Sequence, residues 1–178
     1  LDNDVPVAPG EAGNLIGLSQ TMMAGYKNQP DKTREGYWTD PETGEVWQRM
    51  GDIGRVDAEG FVELVGRAKD MIISGGFNIF PVDLEEELAK EDDVIEAAVI
   101  GMPSERWGET PVGFVRLAGA HDSSSASTDT ILAAVNSRLG KTQRLAQLHA
   151  IEEMPRSHIG KLLKTDLREE AERRGLPD

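Results

Sequence analysis

Residues 67–81 read RAKDMIISGGFNIFP, and this stretch decides how the chain is divided. A charged cluster leads into the apolar triplet MII, then into Gly75 and Gly76, and then into Asn-Ile-Phe-Pro. One glycine is enough for an ordinary turn, so two in succession indicate a backbone that another group approaches closely. The residues alone favour a wide turn, and the alternative is the narrow wall of a passage for a thin ligand.

The pattern of predicted elements changes at this stretch. Before it, the runs NLIGL, EVWQRM and FVELVG are typical of β-strands and are separated by PETG and DAEG turn signals. After Asp70, strand and helix patterns alternate. We therefore predict an α+β protein with a boundary near Asp70. Residues 1–69 form a β-rich part, and residues 70–178 form a small α+β domain whose short central sheet is flanked by helices.

Several strands and three helices are predicted in the second part. The strands are MIIS, AAVIGM and PVGFVRLAG, with LHAIEEM as a further candidate. The first helix begins at Pro81 and runs through LEEELAK, the second covers ILAAVNSRLG, and the third covers KLLKTDLREEAERRG. Ser127 or Thr128 is expected to cap the second helix and Gly140 to end it, after a polar linker, HDSSSASTDT.

The composition excludes several classes of protein. The chain has 178 residues, of which 38% are hydrophobic, and its formal net charge is -13. A chain this acidic repels nucleic acid and anionic membranes, so neither is an expected partner. The lack of cysteine excludes disulfides and thiolate chemistry, and it fits a reducing, cytoplasmic compartment. No apolar run is long enough to span a bilayer, and the first residues, LDNDVPVAPG, lack a signal-peptide pattern.

The segment PRSHIGKLLK, residues 155–164, contains a Gly-Lys pair like that of phosphate loops, but the full motif is absent. A phosphate loop needs a glycine where this chain has Pro155 and a serine or threonine where it has Leu162. Lys161 is instead a lone lysine on a loop made flexible by Gly160, at the start of a predicted helix. This position suits a mobile point charge, and the alternative is an ordinary surface lysine.

Two further charged residues flank the predicted DAEG hairpin. Asp52 follows Gly51, and Arg67 follows Gly66. A carboxylate accepts two hydrogen bonds from a vicinal diol, and a guanidinium donates to hydroxyl or phosphate oxygens. The alternative is a surface salt bridge, which contributes little to stability.

Three motifs, in order, resemble the adenylate-forming acyl-CoA synthetase superfamily. They are GDIGRVDAEGFVELVGRAKDMIISGGFNIFPVDLEEEL, then AAVIGMPSERWGE, then EEMPRSHIGKLLKTDLRE, and the resemblance runs from about Val7 to about Glu169. It implies that the chain, which does not begin with Met, is a C-terminal portion of such an enzyme. Residues 1–69 then correspond to the end of the large N-terminal AMP-binding domain, and residues 70–178 to the small, mobile C-terminal domain.

The resemblance implies a part in nucleotide chemistry for four residues. Asp52 matches the aspartate that binds the ribose hydroxyls of ATP or AMP, and Arg67 matches the arginine that contacts the same nucleotide. Asp70 lies at the hinge between the two domains. Lys161 matches the lysine that adenylation requires, because an ammonium between two reacting anions lowers their repulsion in the transition state.

The resemblance assigns four other residues to CoA. Gly75 and Gly76 match glycines that line the tunnel for the pantetheine arm, which accounts for two adjacent glycines by a thin ligand in a tight space. Trp107 matches a tryptophan near the thiol-bearing arm, and Arg144 matches an arginine that holds the CoA nucleotide in some relatives. Rotation about the hinge would present first Lys161 and then the glycines to one reaction centre.

The chain also departs from the family pattern. Met50 stands where threonine is common, Asp83 where glutamate is common, and His158 where a small residue is usual. The phosphate loop, the segment that meets adenine and magnesium, and the acyl pocket are not in this sequence. We therefore expect the chain alone to be inactive, with Mg²⁺ bound mainly outside it and no metal ligands of its own.

The resemblance implies ATP, CoA and a small carboxylic acid as partners, without specifying the acid. The spacing from Pro155 to Lys161 also matches lysines that are reversibly acylated in bacterial relatives, so a lysine acetyltransferase is a further expected partner. Two other enzyme classes stay open, the adenylation domain of a peptide synthetase and a luciferase-like oxidase. The alternative from a different class is a stand-alone CoA- or nucleotide-binding module without catalysis.

Overall fold

The structure is a computed structural model that describes residues 1–118 and 125–176. The chain divides into two compact units, Leu1–Lys69 and Asp70–Asp178. The division therefore falls where the sequence changes from strand patterns to alternating strand and helix patterns. That the units are the end of an AMP-binding domain and a mobile domain stays a prediction.

The first unit is a four-stranded antiparallel sheet built around one long strand. This strand, β3, pairs with each of the other three. The elements are β1 (Gly13–Gly17), α1 (Pro30–Glu35), β2 (Tyr37–Thr39), β3 (Val46–Val56) and β4 (Val62–Arg67). The three predicted strands are confirmed as β1, β3 and β4, whereas neither β2 nor the short helix α1 was predicted. A helix of six residues is too short to display an apolar period, although Pro30 at its start is a typical first helical residue.

The DAEG segment forms the predicted hairpin between β3 and β4. Asp57 organises the turn, because its Oδ1 accepts hydrogen bonds from the backbone N–H of Glu59 at 3.0 Å and of Phe61 at 2.7 Å. Gly60 has a φ of +90°, a conformation that favours glycine. Aspartate and glycine therefore set the turn that aligns the two strands.

The second unit is a five-stranded sheet with helices on both faces. The strand order is β6-β5-β8-β7, and β9 runs parallel beside β8. The elements are β5 (Ile72–Ser74), β6 (Phe77–Ile79), α2 (Pro81–Leu88), β7 (Val94–Ser104), β8 (Gly108–Leu117), α3 (Ser125–Arg138), β9 (Gln147–Ala150) and α4 (Lys164–Arg173). The predicted α+β class, with a central sheet flanked by helices, is confirmed.

Each face of this sheet has its own hydrophobic core. Alternate residues of β7 point to opposite faces, so Val99 packs in one core and Ala98 and Ile100 in the other. Helices α2 and α3 cover the first face, and α4 covers the second. The first core comprises Ile72, Ile79, Leu84, Leu88, Val99, Val115, Ile131, Val135, Leu145 and Leu148. The second comprises Ala98, Ile100, Met102, Val112, Phe114, Met154, Leu167 and Ala171.

Two predictions about α3 are wrong. The helix begins at Ser125, so Ser127 and Thr128 lie inside its first turn and do not precede it as caps. It ends at Arg138, two residues before Gly140. The linker prediction is also wrong from Ser125 onward, because the amphipathic helix extends back over a segment that looks polar in sequence. The preceding residues, 119–124, lie outside the described part of the chain.

Two other element boundaries differ from the prediction. Helix α4 begins at Lys164 and not at Lys161, because Leu162 forms a β-bridge with Arg156 that holds this segment out of the helix. Strand β9 ends at Ala150, after which the chain turns so that Met154 enters the second core. In the folded domain, α4 and β9 are therefore both shorter than their local sequence patterns predict.

His149 on β9 makes the stability of the fold depend on pH. Burial, with a smaller effect of the nearby Arg174 cation, lowers the pKa of His149 below its ordinary value of 6.5. The unfolded state therefore binds a proton more readily, and stability is lost as the pH falls below about 6.5. We expect the free energy of unfolding, measured by urea titration between pH 8 and pH 5, to fall more in the wild type than in His149→Gln. Equal falls in both would exclude His149 as the cause.

Candidate functional site

Gly75 and Gly76 form the two-residue turn of the β5–β6 hairpin. Ser74 pairs with Phe77 across this turn. The φ angles of the two glycines are +59° and +83°, and a two-residue hairpin turn of this kind needs positive φ at both central residues. The expectation that folding requires one glycine here is therefore wrong. The hairpin alone explains both glycines, and a role in ligand passage needs separate support.

Trp107 packs against this hairpin. The N–H of Gly75 donates a hydrogen bond of 2.8 Å to the carbonyl oxygen of Trp107. A Cβ atom on Gly75 would lie 3.0 Å from Cε3 of the indole, closer than ordinary van der Waals contact. The indole is 47% exposed, and the Arg106 guanidinium lies 4.5 Å from its ring centroid. A larger residue at position 75 would therefore collide with the Trp107 indole unless the indole moved.

Gly76 faces open space instead. A Cβ atom on Gly76 would meet no other atom within 4 Å. The structure thus brings Gly75, Gly76 and Trp107 together on one exposed surface, with a bare backbone at Gly76 that a narrow ligand can approach. We call these three residues the glycine hairpin surface.

Lys161 lies on a small closed turn between β9 and α4. The backbone N–H of Ser157 donates to the carbonyl of Lys161 at 2.8 Å, and the N–H of Lys161 donates to Ser157 Oγ at 3.1 Å. The N–H of Leu163 closes the base of the turn on the carbonyl of Pro155 at 2.9 Å. Gly160 has a φ of +81°, a backbone conformation that would be strained for a residue with a side chain. We call residues 155–163 the lysine turn.

The Lys161 side chain is exposed. Within residues 1–118 and 125–176, its ammonium makes no hydrogen bond or ion pair. The two nearest cations along the chain, Arg156 in the same turn and Lys164 at the start of α4, both form ion pairs with acidic side chains. The lysine turn therefore presents one uncommitted positive charge to solvent.

The lysine turn and the glycine hairpin surface lie at opposite ends of the sheet of the second unit. Arg156 joins the lysine turn to Glu96 on β7, whereas β5 joins β8 at the pair Ser74 and Gly108, next to Trp107. Glu96 and Ser104, which flank these two sites along β7, are eight residues apart. At about 3.3 Å per residue, this separation is about 26 Å.

Asp52 and Arg67 lie opposite each other on β3 and β4 of the first unit. Arg67 Nε lies 3.0 Å from Asp52 Oδ1, and both side chains are partly exposed. The structure therefore brings these two predicted site residues together. The pair leaves one carboxylate oxygen and the terminal guanidinium nitrogens for a ligand.

The two remaining predicted site residues lie elsewhere in the second unit. Asp70 lies in the 3₁₀ turn Ala68–Asp70, 3.9 Å from Arg168 on α4. Arg144 is exposed in the connection between α3 and β9. Two residues beyond it, the N–H of Ala146 donates to the carbonyl of Pro111. Arg144 is thus near the same end of β8 as the glycine hairpin surface, but no contact joins it to Trp107 within the described residues.

The described residues contain no group of three or more His, Cys, Asp or Glu side chains that could hold a metal ion. Among the helices in the described ranges, none is both long enough and apolar enough to cross a bilayer.

The sequence reasoning did not find the acidic partners of the two cations that flank Lys161. Glu96 binds Arg156 across 60 positions of sequence, and Glu85 binds Lys164 across 79. Acidic residues are common throughout this chain, so no local signal distinguishes these two. Their role is visible only from the folded arrangement.

Comparison with known proteins places this geometry in a family. Residues 83–161 match the family model of the AMP-binding enzyme C-terminal domain. A medium/long-chain-fatty-acid–CoA ligase from Mycobacterium tuberculosis is 36% identical over 88% of this chain and 27% of its own length. A 2-succinylbenzoate–CoA ligase from Geobacillus kaustophilus is 34% identical over 94% of this chain and 32% of its own length.

A solved structure also resembles the whole chain. The crystal structure of an ATP-bound RpMatB-BxBclM chimera matches with a TM-score of 0.84 and 31% identity, over 93% of this chain and 32% of the chimera. These matches support a C-terminal fragment of an adenylate-forming acyl-CoA synthetase, the family that the motifs of the chain resemble. The chain spans about 30% of the length of the curated relatives that it matches.

Proposed function

We propose that this chain is the part of an AMP-forming acid–CoA ligase that supplies the adenylation lysine and the entry surface for CoA. The complete enzyme would join a carboxylic acid to ATP, release pyrophosphate, and transfer the acyl group from AMP to the thiol of CoA. The observation that carries this proposal is the placement, near different parts of one small sheet, of a bare glycine backbone and of a Lys161 ammonium that has no partner among the described residues. The relatives, which are named as CoA ligases, favour CoA over a peptide carrier as the acyl acceptor.

In this proposal, Asp52 and Arg67 hold the nucleotide. The ribose hydroxyls donate to the Asp52 carboxylate, whose orientation is fixed by Arg67 at 3.0 Å. The outer nitrogens of Arg67 are then available to an oxygen of the same nucleotide. Because Arg67 also neutralises Asp52, the carboxylate can lie near a polyphosphate without strong repulsion.

Lys161 serves the first half-reaction. The acid carboxylate attacks the α-phosphorus of ATP, and the electron pair of the broken bond leaves with pyrophosphate. Both reactants are anionic, so an ammonium placed between the carboxylate and the α-phosphate stabilises the transition state more than the separated reactants. The exposed and uncommitted Lys161 fits this task better than Arg156 or Lys164, which are already paired.

The glycine hairpin surface serves the second half-reaction. The CoA thiol attacks the acyl carbonyl, and AMP leaves. Open space at Gly76 fits a pantetheine arm, and Trp107 forms an apolar side wall. Because the lysine turn and this surface lie near different parts of β7, the second unit is proposed to rotate between the two steps to present each in turn, with Asp70 at the hinge.

We assign the remaining binding sites of the complete reaction to parts of the enzyme that this sequence does not contain. ATP and Mg²⁺ would be bound mainly by parts that this sequence does not contain, so the chain alone is proposed to be inactive. The acyl pocket is also elsewhere, and the acid is therefore specified only as a carboxylic acid. A cytoplasmic location is part of the proposal, because CoA and ATP are the substrates.

The test is an assay of the complete polypeptide that carries this chain. Short, aromatic and fatty acids are each incubated with ATP and labelled pyrophosphate, and exchange of the label into ATP reports adenylation. Addition of CoA should then give a thioester and AMP. Acid-dependent exchange with no thioester, but with amide or carrier-bound product, would replace the CoA ligase with another adenylate-forming activity. If none of the acids supported exchange of labelled pyrophosphate into ATP, the proposed function would be wrong.

Lys161 is also the proposed target of a lysine acetyltransferase. It is exposed, whereas the Lys164 side chain is 17% exposed and its ammonium is hydrogen-bonded. We expect limiting acetyl phosphate or a lysine acetyltransferase to modify Lys161 before Lys164, as followed by peptide mass spectrometry. Acetylation removes the charge, so the loss of adenylation should follow the modified fraction at Lys161. Modification of Lys164 first, or full activity of the acetylated protein, would contradict this prediction.

A further inference from the structure

The lysine turn is bound to strand β7 through Arg156. Nη1 of Arg156 donates a hydrogen bond of 2.7 Å to the carbonyl of Gly160, the residue directly before Lys161. Its other terminal nitrogen contacts the carboxylate of Glu96 on β7. Arg116 lies 3.5 Å from the second oxygen of the same carboxylate. A single planar guanidinium thus connects the backbone beside Lys161 to the rigid sheet.

Lys164 makes a second connection on the other side of the turn. Its ammonium donates to Glu85 Oε1 at 2.7 Å and to the carbonyl of Val99 at 3.1 Å. The same oxygen of Glu85 accepts the N–H of Val99 at 2.8 Å. Helix α2, through Glu85, and the first residue of α4, Lys164, therefore satisfy both backbone polar groups of Val99 on β7.

These contacts matter because, among the residues that the structure describes, none holds the Lys161 side chain by a hydrogen bond or an ion pair. A lysine side chain has four rotatable bonds, so the position of its ammonium depends first on where its backbone is held. The backbone of the lysine turn is exposed, and its internal hydrogen bonds fix its shape but not its place relative to the sheet. Arg156 and Lys164 supply that second constraint, one on each side of Lys161.

We propose that Arg156 and Lys164 are positioning residues for the adenylation step, and that with Glu96 and Glu85 they hold the lysine turn on β7. This inference rests on the proposed function, because it assumes that Lys161 acts in adenylation. Neither residue touches a reactant in the proposal. Their effect is transmitted through the position of the Lys161 backbone.

The variants Arg156→Met and Lys164→Met test this inference in the complete enzyme. Each removes its ion pair while keeping an unbranched apolar side chain of similar length. A displacement of about 1 Å at a reacting group costs about 100-fold in rate, so we expect acid-dependent pyrophosphate exchange to fall by about 10- to 100-fold. Thioester formation from chemically prepared acyl-adenylate and CoA should stay within about twofold of wild type, because Lys161 does not act there.

Conservative variants and a matched control separate positioning from folding. Arg156→Lys keeps the charge but cannot reach both Glu96 and Gly160 with a planar fork, so its exchange rate should lie between wild type and Arg156→Met. Arg116→Met removes a cation from the same carboxylate without touching the lysine turn, and it should leave exchange unchanged. An unchanged thioester rate shows that each variant is folded.

A double-mutant comparison completes the test. If Arg156 acts through Lys161, then Arg156→Met should cause no further loss of exchange in a Lys161→Ala background. Full additivity of the two losses, or equal losses of both half-reactions in Arg156→Met, would overturn the positioning role. Normal exchange in Arg156→Met and Lys164→Met, with a large loss in Lys161→Ala, would overturn it while leaving the proposed function intact. Normal exchange in Lys161→Ala would instead remove the adenylation role of Lys161, and the positioning role with it.

Discussion

Replacing Lys161 with alanine in the complete enzyme is expected to lower the rate of acid-dependent pyrophosphate exchange by about 100- to 1,000-fold. This is the loss usually seen when one preorganised electrostatic group is removed from a transition state. The structure leaves the Lys161 ammonium without a partner in the described part of the chain, so its loss removes no structural ion pair. The free energy of unfolding should therefore be unchanged, and thioester formation from acyl-adenylate should continue.

The matched control for this variant is Lys141→Ala. Lys141 is also exposed and also makes no ion pair within the described residues, but it lies after α3 and not on the lysine turn. It should leave pyrophosphate exchange at the wild-type rate. If the Lys161→Ala and Lys141→Ala variants catalysed pyrophosphate exchange at the same rate, the proposed role of the Lys161 ammonium in the adenylation transition state would be wrong.

The fold was predictable where local pattern and packing agree. The strand runs of β7 and β8 are long and largely apolar, and α2 carries Leu84 and Leu88 one turn apart, both of which are buried. In these segments, the residues that prefer an element also fill the core beneath it. The predicted class and the main elements therefore hold.

The pairing of Asp52 with Arg67 depends on a feature that sequence patterns do not show. Counting back evenly from the pair Val56 and Val62 would place Asp52 opposite Gly66. A register shift between Ile53 and Gly54 moves the partner by one residue, so that Asp52 and Arg67 become neighbours. A one-residue slip turns a side chain to the other face of a sheet, so without this shift the two groups would not meet.

The opening glycine pair shows the opposite limit. The residues alone favoured a wide turn over ligand approach, and the structure shows a turn, although a tight one of two residues. Strand β6 has three residues, which is too short to reveal alternation, so the hairpin could not be predicted from its pattern. Once the hairpin is known, positive φ explains both glycines, and ligand approach must be tested at a position where space and strain can be separated.

Gly76 is that position, and substitution there is expected to have a large effect on the second half-reaction. In the complete enzyme, Gly76→Leu should slow thioester formation from acyl-adenylate and CoA by at least about tenfold, which corresponds to about 1.4 kcal/mol of lost transition-state stabilisation. Adenylation should be spared, because Lys161 lies at the other end of the sheet. The reason is that a side chain at Gly76 would enter the open space proposed for the pantetheine arm.

Backbone strain must be separated from obstruction, because Gly76 has a φ of +83° and a side chain there costs about 1–2 kcal/mol. A series of Ala, Asn and Leu variants does so, since asparagine tolerates positive φ better than alanine but is bulkier. If obstruction controls the rate, thioester formation should decrease in the order Ala, Asn, Leu. If strain controls it, Asn should be the fastest of the three, and thermal unfolding should follow the same order. An Asn variant faster than Ala would therefore leave Gly76 as a turn residue alone and would place the CoA passage elsewhere.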